Sequence, residues 1–134
     1  ASGVRGISLR ENDVVVGLDV AYAESEDEVL VVTEKGYGKR TPVSEYRLSN
    51  RGGKGIKTAK ITERNGNVVC ITTVMVNKIF YLVQHNASLI RFPEIVTPTR
   101  SYASGVRGIS LRENDVVVGL DVAYAESEDE VLVV

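Results

Sequence analysis

The sequence predicts an all-β fold of propeller/pinwheel-like blades, each a small antiparallel sheet, with about two blades complete and a third begun. Short runs rich in β-branched and aromatic residues recur along the chain, bounded by turn residues. No segment of helical length keeps a 3.6-residue apolar period. A pentapeptide start also recurs, as GVRGI at Gly3–Ile7, GGKGI at Gly52–Ile56 and GVRGI at Gly105–Ile109, at spacings of 49 and 53 residues. A period near 50 with several strand-like runs per repeat describes units that cannot bury their faces alone and must pack on neighbours.

Each element follows from its residues. DVVVGLDV (Asp13–Val20) and EVLVVT (Glu28–Thr33) are the strand runs of the first repeat, and EKGYG (Glu34–Gly38) supplies glycine for a tight turn after them. Asn65-Gly66 suits a type I′ hairpin turn, because both residues tolerate positive φ. NVVCITTVMV (Asn67–Val76) and KIFYLVQ (Lys78–Gln84) follow as strands. Pro42, Pro93 and Pro98 each come after a strand-like run, where a missing N–H is harmless. The runs read as a chain of hairpins whose buried strands are Val14–Val20, Val29–Val32, Val68–Val74 and Ile79–Val83.

The repeat divides the 134 residues into module A (1–50), module B (51–102) and a partial module A (103–134). ISLRENDVVVGLDV (Ile7–Val20) answers to IKTAKITERNGNVVCITTV (Ile56–Val74), and DEVLVVTEKGYGKRTPVSEY (Asp27–Tyr46) answers to NKIFYLVQHNASLIRFPEIV (Asn77–Val96). Ala1–Val32 and Ala103–Val134 are identical at all 32 positions. Natural repeats drift, so a perfect copy reads as an engineered, partly duplicated chain or as a very recent natural duplication. Two identical copies compete for one kind of groove, which predicts strand exchange and a closed homo-oligomer, a dimer being the simplest.

Composition sets the remaining bounds. With 43% hydrophobic and 25% charged residues, the chain has the balance of a soluble protein. Cys70 is the single cysteine, which rules out an internal disulfide, and GNVVCITTV places it as a small core residue. No signal peptide is evident, and no apolar run approaches the roughly 20 residues that span a bilayer, so no membrane partner is expected. The NAS at Asn86–Ser88 reads as a turn.

Charge is concentrated. From Lys35 to Arg64 there are nine basic residues against Glu45 and Glu63, a local charge of +7 in a chain of net charge −2. Glycines interrupt this block in SNRGGKG (Ser49–Gly55), so backbone N–H groups and cations together suit phosphate contacts that position a duplex without reading its bases. The candidate contacts are Lys39, Arg40, Arg51, Gly52, Gly53, Lys54, Gly55, Lys57 and Lys60. The plainer alternative is a solvated face.

VTEKGYGKRTPVSEYRLSNRGGKGIKTAKITERNGNVVCITTV (Val32–Val74) closely resembles the C-terminal domain of the DNA gyrase A subunit, a β-pinwheel, and ASGVRGISLRENDVVVGLDVAYAESEDEVLVV resembles its preceding blade. The resemblance covers about three quarters of the chain; GYGKRTP and RGGKG carry it, whereas Met75–Tyr102 departs from it except at LIRFPE (Leu89–Glu94). It implies a non-enzymatic role, the wrapping of double-stranded DNA around a basic rim of a bacterial, cytoplasmic topoisomerase. SNRGGKG matches the family's basic heptad at Arg51, Gly52, Gly53, Lys54 and Gly55, but Asn50 stands where its first Arg would be.

Other chemistry is sparse. ESEDE (Glu24–Glu28, again at Glu126–Glu130) reads as a solvated acidic loop, since consecutive carboxylates point apart. His85, the single histidine, has no partner for a triad or a zinc site. RGGKG lacks the spacing of a nucleotide-binding P-loop. No cofactor and no catalytic constellation are expected. Two readings remain: a DNA-binding module, or an engineered self-assembling β scaffold in which DNA binding is incidental.

Overall fold

A computed structural model of the chain describes residues 2–22, 24–74, 78–84, 89–93, 105–124, 128 and 130. Among them lie seven strands: β1 (Glu28–Thr33), β2 (Tyr37–Pro42), β3 (Val68–Val74), β4 (Lys78–Gln84), β5 (Leu89–Pro93), β6 (Val106–Arg107) and β7 (Val117–Tyr124). The sole helical element among these residues is a 3-10 turn at Val43–Glu45. The strands form two sheets, ordered β3-β1-β2-β6 and β5-β4-β7, and every strand pairing is antiparallel.

Hairpins form where turn chemistry allows them. β1 and β2 fold back around Glu34–Gly36, with Val32 opposite Gly38 and the Gly36 N–H donating to the Thr33 carbonyl at 3.0 Å. β4 and β5 make the matching hairpin, and Pro42 and Pro93 each end the second strand of their hairpin. The chain of hairpins breaks between β3 and β4. Although close in sequence, they join different sheets: β3 pairs with β1, and β4 pairs with β7.

Each sheet is therefore a hairpin from one module plus a strand from the next. The two sheets are also alike in register. In β1 the pairing slips between Val32 and Thr33, opposite Cys70 and Val68; in β4 it slips between Val83 and Gln84, opposite Gly119 and Val117. The same bulge, with one extra residue on the incoming strand, appears in both sheets. A two-stranded hairpin is marginal alone, so the third strand makes the stability of one module depend on its successor.

The core lies where the modules meet. Leu30 and Val32 of β1, Val74 of β3, and Ile109 and Val117 of the second copy are buried together, with Val69, Cys70, Leu111 and Leu120 packed against them. Cys70, expected in the core, is half-buried against it, and burial pushes its thiol above the ordinary value.

Two further expectations fail. Val14–Val20 forms no strand: Val15 is 64% and Leu18 89% exposed, whereas Val117, the counterpart of Val15 in the identical copy, is 2% exposed in β7. Propensity cannot separate identical segments. β7 has β4 to pair with, and the first copy has no such hairpin among the described residues. It lies instead along the outer edge of β3. There the Asp19 carboxylate accepts the Thr73 N–H at 2.7 Å, the Thr73 hydroxyl at 3.1 Å and the Thr72 hydroxyl at 3.2 Å. The backbone N–H of Thr73, then that of Val20, holds the Asp19 carboxyl below the usual carboxylate range. A carboxylate set against the edge of β3 discourages further pairing there.

Asn65-Gly66 is not a type I′ turn either, because Gly66 has φ +72° while Asn65 is not in the left-handed region. Asn65 acts through its side chain. Its Oδ1 accepts the Thr62 N–H at 2.7 Å and its Nδ2 donates to the Lys60 carbonyl at 2.7 Å, fixing an irregular loop. The expected strand Ile79–Val83 is present within β4; the burial of its side chains lies outside the described residues, as do Asn86–Ser88, His85 and Pro98.

The identical copies offer an internal control. Gly3 and Gly105 both have φ +89°; a Cβ on Gly105 would meet the Gly38 carbonyl oxygen at 2.8 Å, and one on Gly3 would meet nothing within 4 Å. The left-handed backbone penalises alanine about equally at both sites, by roughly 1–2 kcal/mol. Gly105→Ala is expected to lower the thermal unfolding midpoint clearly more than Gly3→Ala, because only Gly105 must also push β2 away. Equal midpoints would show that the second copy does not dock on β2.

Candidate nucleic-acid interface

The RGGKG loop is strapped down by the first copy. The Gly52 N–H donates to the Gly6 carbonyl at 2.9 Å, and the Ser8 N–H donates to the Gly53 carbonyl at 2.8 Å. The Ser8 hydroxyl closes on the Gly52 carbonyl at 2.6 Å, and Ile7 bridges Gly53 in parallel. Gly52 and Gly55 have φ of +81° and +76°, and a Cβ on Gly55 would press on the Ile7 side chain at 3.3 Å. Here glycine permits a close backbone approach. The approach is to the protein's own chain, so the Gly52 N–H is already engaged and is not left open to an oxyanion.

The candidate residues separate by burial. Arg51, Gly53, Lys54, Gly55, Lys57 and Lys60 are exposed and Gly52 is half-buried. Lys39 and Arg40 are 2% and 8% exposed, which removes both from the accessible cationic surface. Register is the reason. Lys39 stands opposite Val31 and Arg40 opposite Leu30, both buried residues of β1. Burial pulls the Lys39 ammonium below its ordinary value, opposed by the Glu45 carboxylate. Arg40 donates from Nη2 to the Glu28 carboxylate at 2.6 Å, a cross-strand ion pair that ties the open end of the β1–β2 hairpin.

Folding adds cations that the basic window omits. Arg5 joins Asn50, Arg51 and Gly52 around one open cleft, and Arg10 joins Lys54 and Lys57 along a groove of about 390 Å³ whose one carboxylate is Asp13. A further cluster forms at Tyr37. The Arg64 Nε donates to the Tyr37 hydroxyl at 2.9 Å, and Arg107 donates to it from Nε at 3.3 Å and Nη2 at 3.0 Å. Both guanidinium carbons also lie over the ring, at 5.3 and 5.6 Å from its centroid. Hydrogen bonds from Arg107, then from Arg64, hold the Tyr37 phenol below its ordinary value. A signal for two of these residues was present in the repeat: Arg5, Lys54 and Arg107 occupy the same place in GVRGI, GGKGI and GVRGI.

Small antiparallel sheets stitched together by strands from successive repeats, with a glycine-rich cationic loop on the surface, define a propeller-type repeat protein with an exposed cationic face. Sequence comparison agrees. The profile of the family described as DNA gyrase C-terminal domain, beta-propeller, matches residues 1–21, 27–72 and 96–123, and the chain belongs to that family. The DNA gyrase A subunit of Staphylococcus epidermidis is 60% identical over 131 residues, and that of Staphylococcus aureus 57%. These alignments take in 97% of this chain but 14% and 15% of the relatives, so the chain spans about one seventh of their length. A solved DNA gyrase A C-terminal domain superposes with a TM-score of 0.67 at 28% identity, over 71% of this chain and 33% of that one. The C-terminal domain of DNA topoisomerase IV superposes with a TM-score of 0.83 over 94% of this chain and 39% of its own, at 19% identity, and so shares the fold.

The two kinds of arginine are separable by experiment. Arg40→Ala leaves the Glu28 carboxylate in a mostly buried site without its partner, so a loss of roughly 3 kcal/mol in urea unfolding is expected. Arg51→Ala, at an exposed loop position, is expected to stay within about 0.5 kcal/mol of the parent. Equal losses would mean that Arg40 is not part of the hairpin's support.

Proposed function

We propose that this chain is a non-enzymatic, accessory DNA-binding module of a bacterial type II topoisomerase, working in the cytoplasm and holding double-stranded DNA by its phosphates without sequence preference. The observation that carries the reading is the exposed cationic loop at Arg51–Lys60, which the first copy straps down and widens with Arg5 and Arg10. Cations on a fixed loop position a phosphate backbone, and no base-reading helix is found among the described residues. The family membership supports the same role. Arg51, Lys54, Lys57 and Lys60 are the proposed contacts; Gly52, Gly53 and Gly55 shape the loop.

Replacing Arg51, Lys54 and Lys57 together by alanine tests it. Each lost phosphate contact is expected to flatten the slope of log K against log salt by about one unit, as measured on a duplex of mixed sequence. Unchanged affinity and slope would reduce the loop to a solvated face.

A second reading, a self-assembling scaffold, has its own observation. Residues 14–22 expose Val14, Val15, Leu18, Val20 and Tyr22. In the second sheet β5 has no outer neighbour among the described residues, whereas in the first sheet β2 receives Val106–Arg107 there. Val4–Arg5 are the same two residues. The first copy of one molecule can therefore complete a sheet of another, and a homo-oligomer, most simply a dimer, is the outcome of this reading. Light scattering over a concentration series is expected to show mass above the monomer that disappears when Ala1–Tyr22 is removed. A monomer at every concentration overturns it.

A further inference from the structure

Tyr37 is the point where three modules meet. It belongs to β2 of module A; Arg64 reaches it from the loop before β3, and Arg107 reaches it from β6 of the second copy, directly opposite in register. The arrangement depends on placement rather than on local sequence: Arg5, in an identical pentapeptide, sits instead beside Asn50 and Arg51. Together with Lys35 and Arg112 the three residues line an open cleft of about 610 Å³.

Two guanidinium groups share a single neutral phenol oxygen, and neither is paired with a carboxylate among the described residues. Lys35, Arg64, Arg107 and Arg112 outnumber the carboxylates of the same cleft, and gathering like charges around one phenol is costly unless an anion completes the set. Those carboxylates are Glu34, Glu113 and Asp115; Glu34 Oε1 accepts the Asn67 N–H at 3.1 Å, Asp115 Oδ1 accepts the Val116 N–H at 2.9 Å, and none of the three pairs with Arg64 or Arg107 among the described residues. Donors remain in surplus. Arg64 spends only its Nε on the phenol, and the Nη1 of Arg107 is not spent there. With its lone pairs occupied by guanidinium N–H groups, the Tyr37 hydroxyl keeps its own proton to donate. A hydroxyl donor between two forked guanidinium groups matches the several acceptor oxygens of a tetrahedral anion.

We infer that Tyr37, Arg64 and Arg107 form a binding site for an oxyanion of the phosphate class. The anion joins side chains from three modules, so it binds the assembled fold and not the unfolded chain. Where its source is the backbone of a duplex, the site extends the interface proposed above and rests on that reading; a free phosphate needs the cleft alone.

Binding to the folded state raises stability with ligand concentration, so inorganic phosphate at millimolar levels, against chloride at equal ionic strength, is expected to raise the unfolding midpoint of the full chain. Arg64→Gln, Arg107→Gln and Tyr37→Phe should each abolish most of that rise, whereas Arg47→Gln, which removes one exposed charge that lines none of the three clefts, should keep it. Arg107→Lys preserves charge without the fork and is expected to recover only part of the rise. Duplex titrations identify the source: a salt slope flatter by about one unit in Arg64→Gln and in Arg107→Gln assigns a backbone phosphate, and an unchanged slope assigns a free one. A phosphate-dependent rise that persists in all three variants overturns the site. Such persistence, alongside a loss of duplex affinity in the Arg51, Lys54 and Lys57 triple variant, overturns this inference while leaving the proposed function standing.

Discussion

Each hairpin in this protein needs a third strand, and that strand comes from the next module. The constraint is a matter of area: a two-stranded ribbon exposes both faces and both edges, and only pairing with a further strand and packing on a neighbour remove them from water. β3 performs this service for the β1–β2 hairpin, and β7 performs it for β4–β5. The core residues Val32, Val74 and Val117 accordingly come from three different modules. Stability is thus shared along the chain, as in other repeat proteins, and each junction is also a structural support.

The same stitching builds the cationic surface. A glycine-rich loop at a module start is held by the start of the preceding module, and the module starts carry Arg5, Lys54 and Arg107 at one equivalent position. Three repeats therefore place three cations by one rule. Their surroundings differ: Arg5 lies beside Arg51, whereas Arg107 meets an aromatic ring already approached by Arg64. The surface charge of the molecule is consequently patterned by its strand topology as much as by its composition.

The β1–β2 hairpin shows how a local run of basic residues can mislead. Lys39 and Arg40 belong to the most basic window of the chain, but strand alternation cannot expose both, and the hairpin is covered on both faces, so neither is exposed. Arg40 is retained as the partner of Glu28. Arg64, at the end of the same window, faces Tyr37, a pairing across 27 positions of sequence that no local pattern announces.

Sequence by itself determined the all-β class, the recurrence of the GVRGI-type starts, the strand status of β1, β3 and β4, the place of Cys70 against the core and the exposed cations of the RGGKG loop. These follow from local chemistry: β-branched runs, turn glycines and charge density act over a few residues and hold in any packing. Tertiary structure alone decided which of two identical segments becomes a strand, which basic residues reach the surface, and which arginines meet Tyr37. Residues 13–20 and 115–122 are the same eight letters, yet one is paired and the other lies exposed along the edge of β3. Only the presence or absence of a complementary hairpin distinguishes them, and that is a property of the neighbours in space, where strand pairing and burial supply the free energy that propensity cannot.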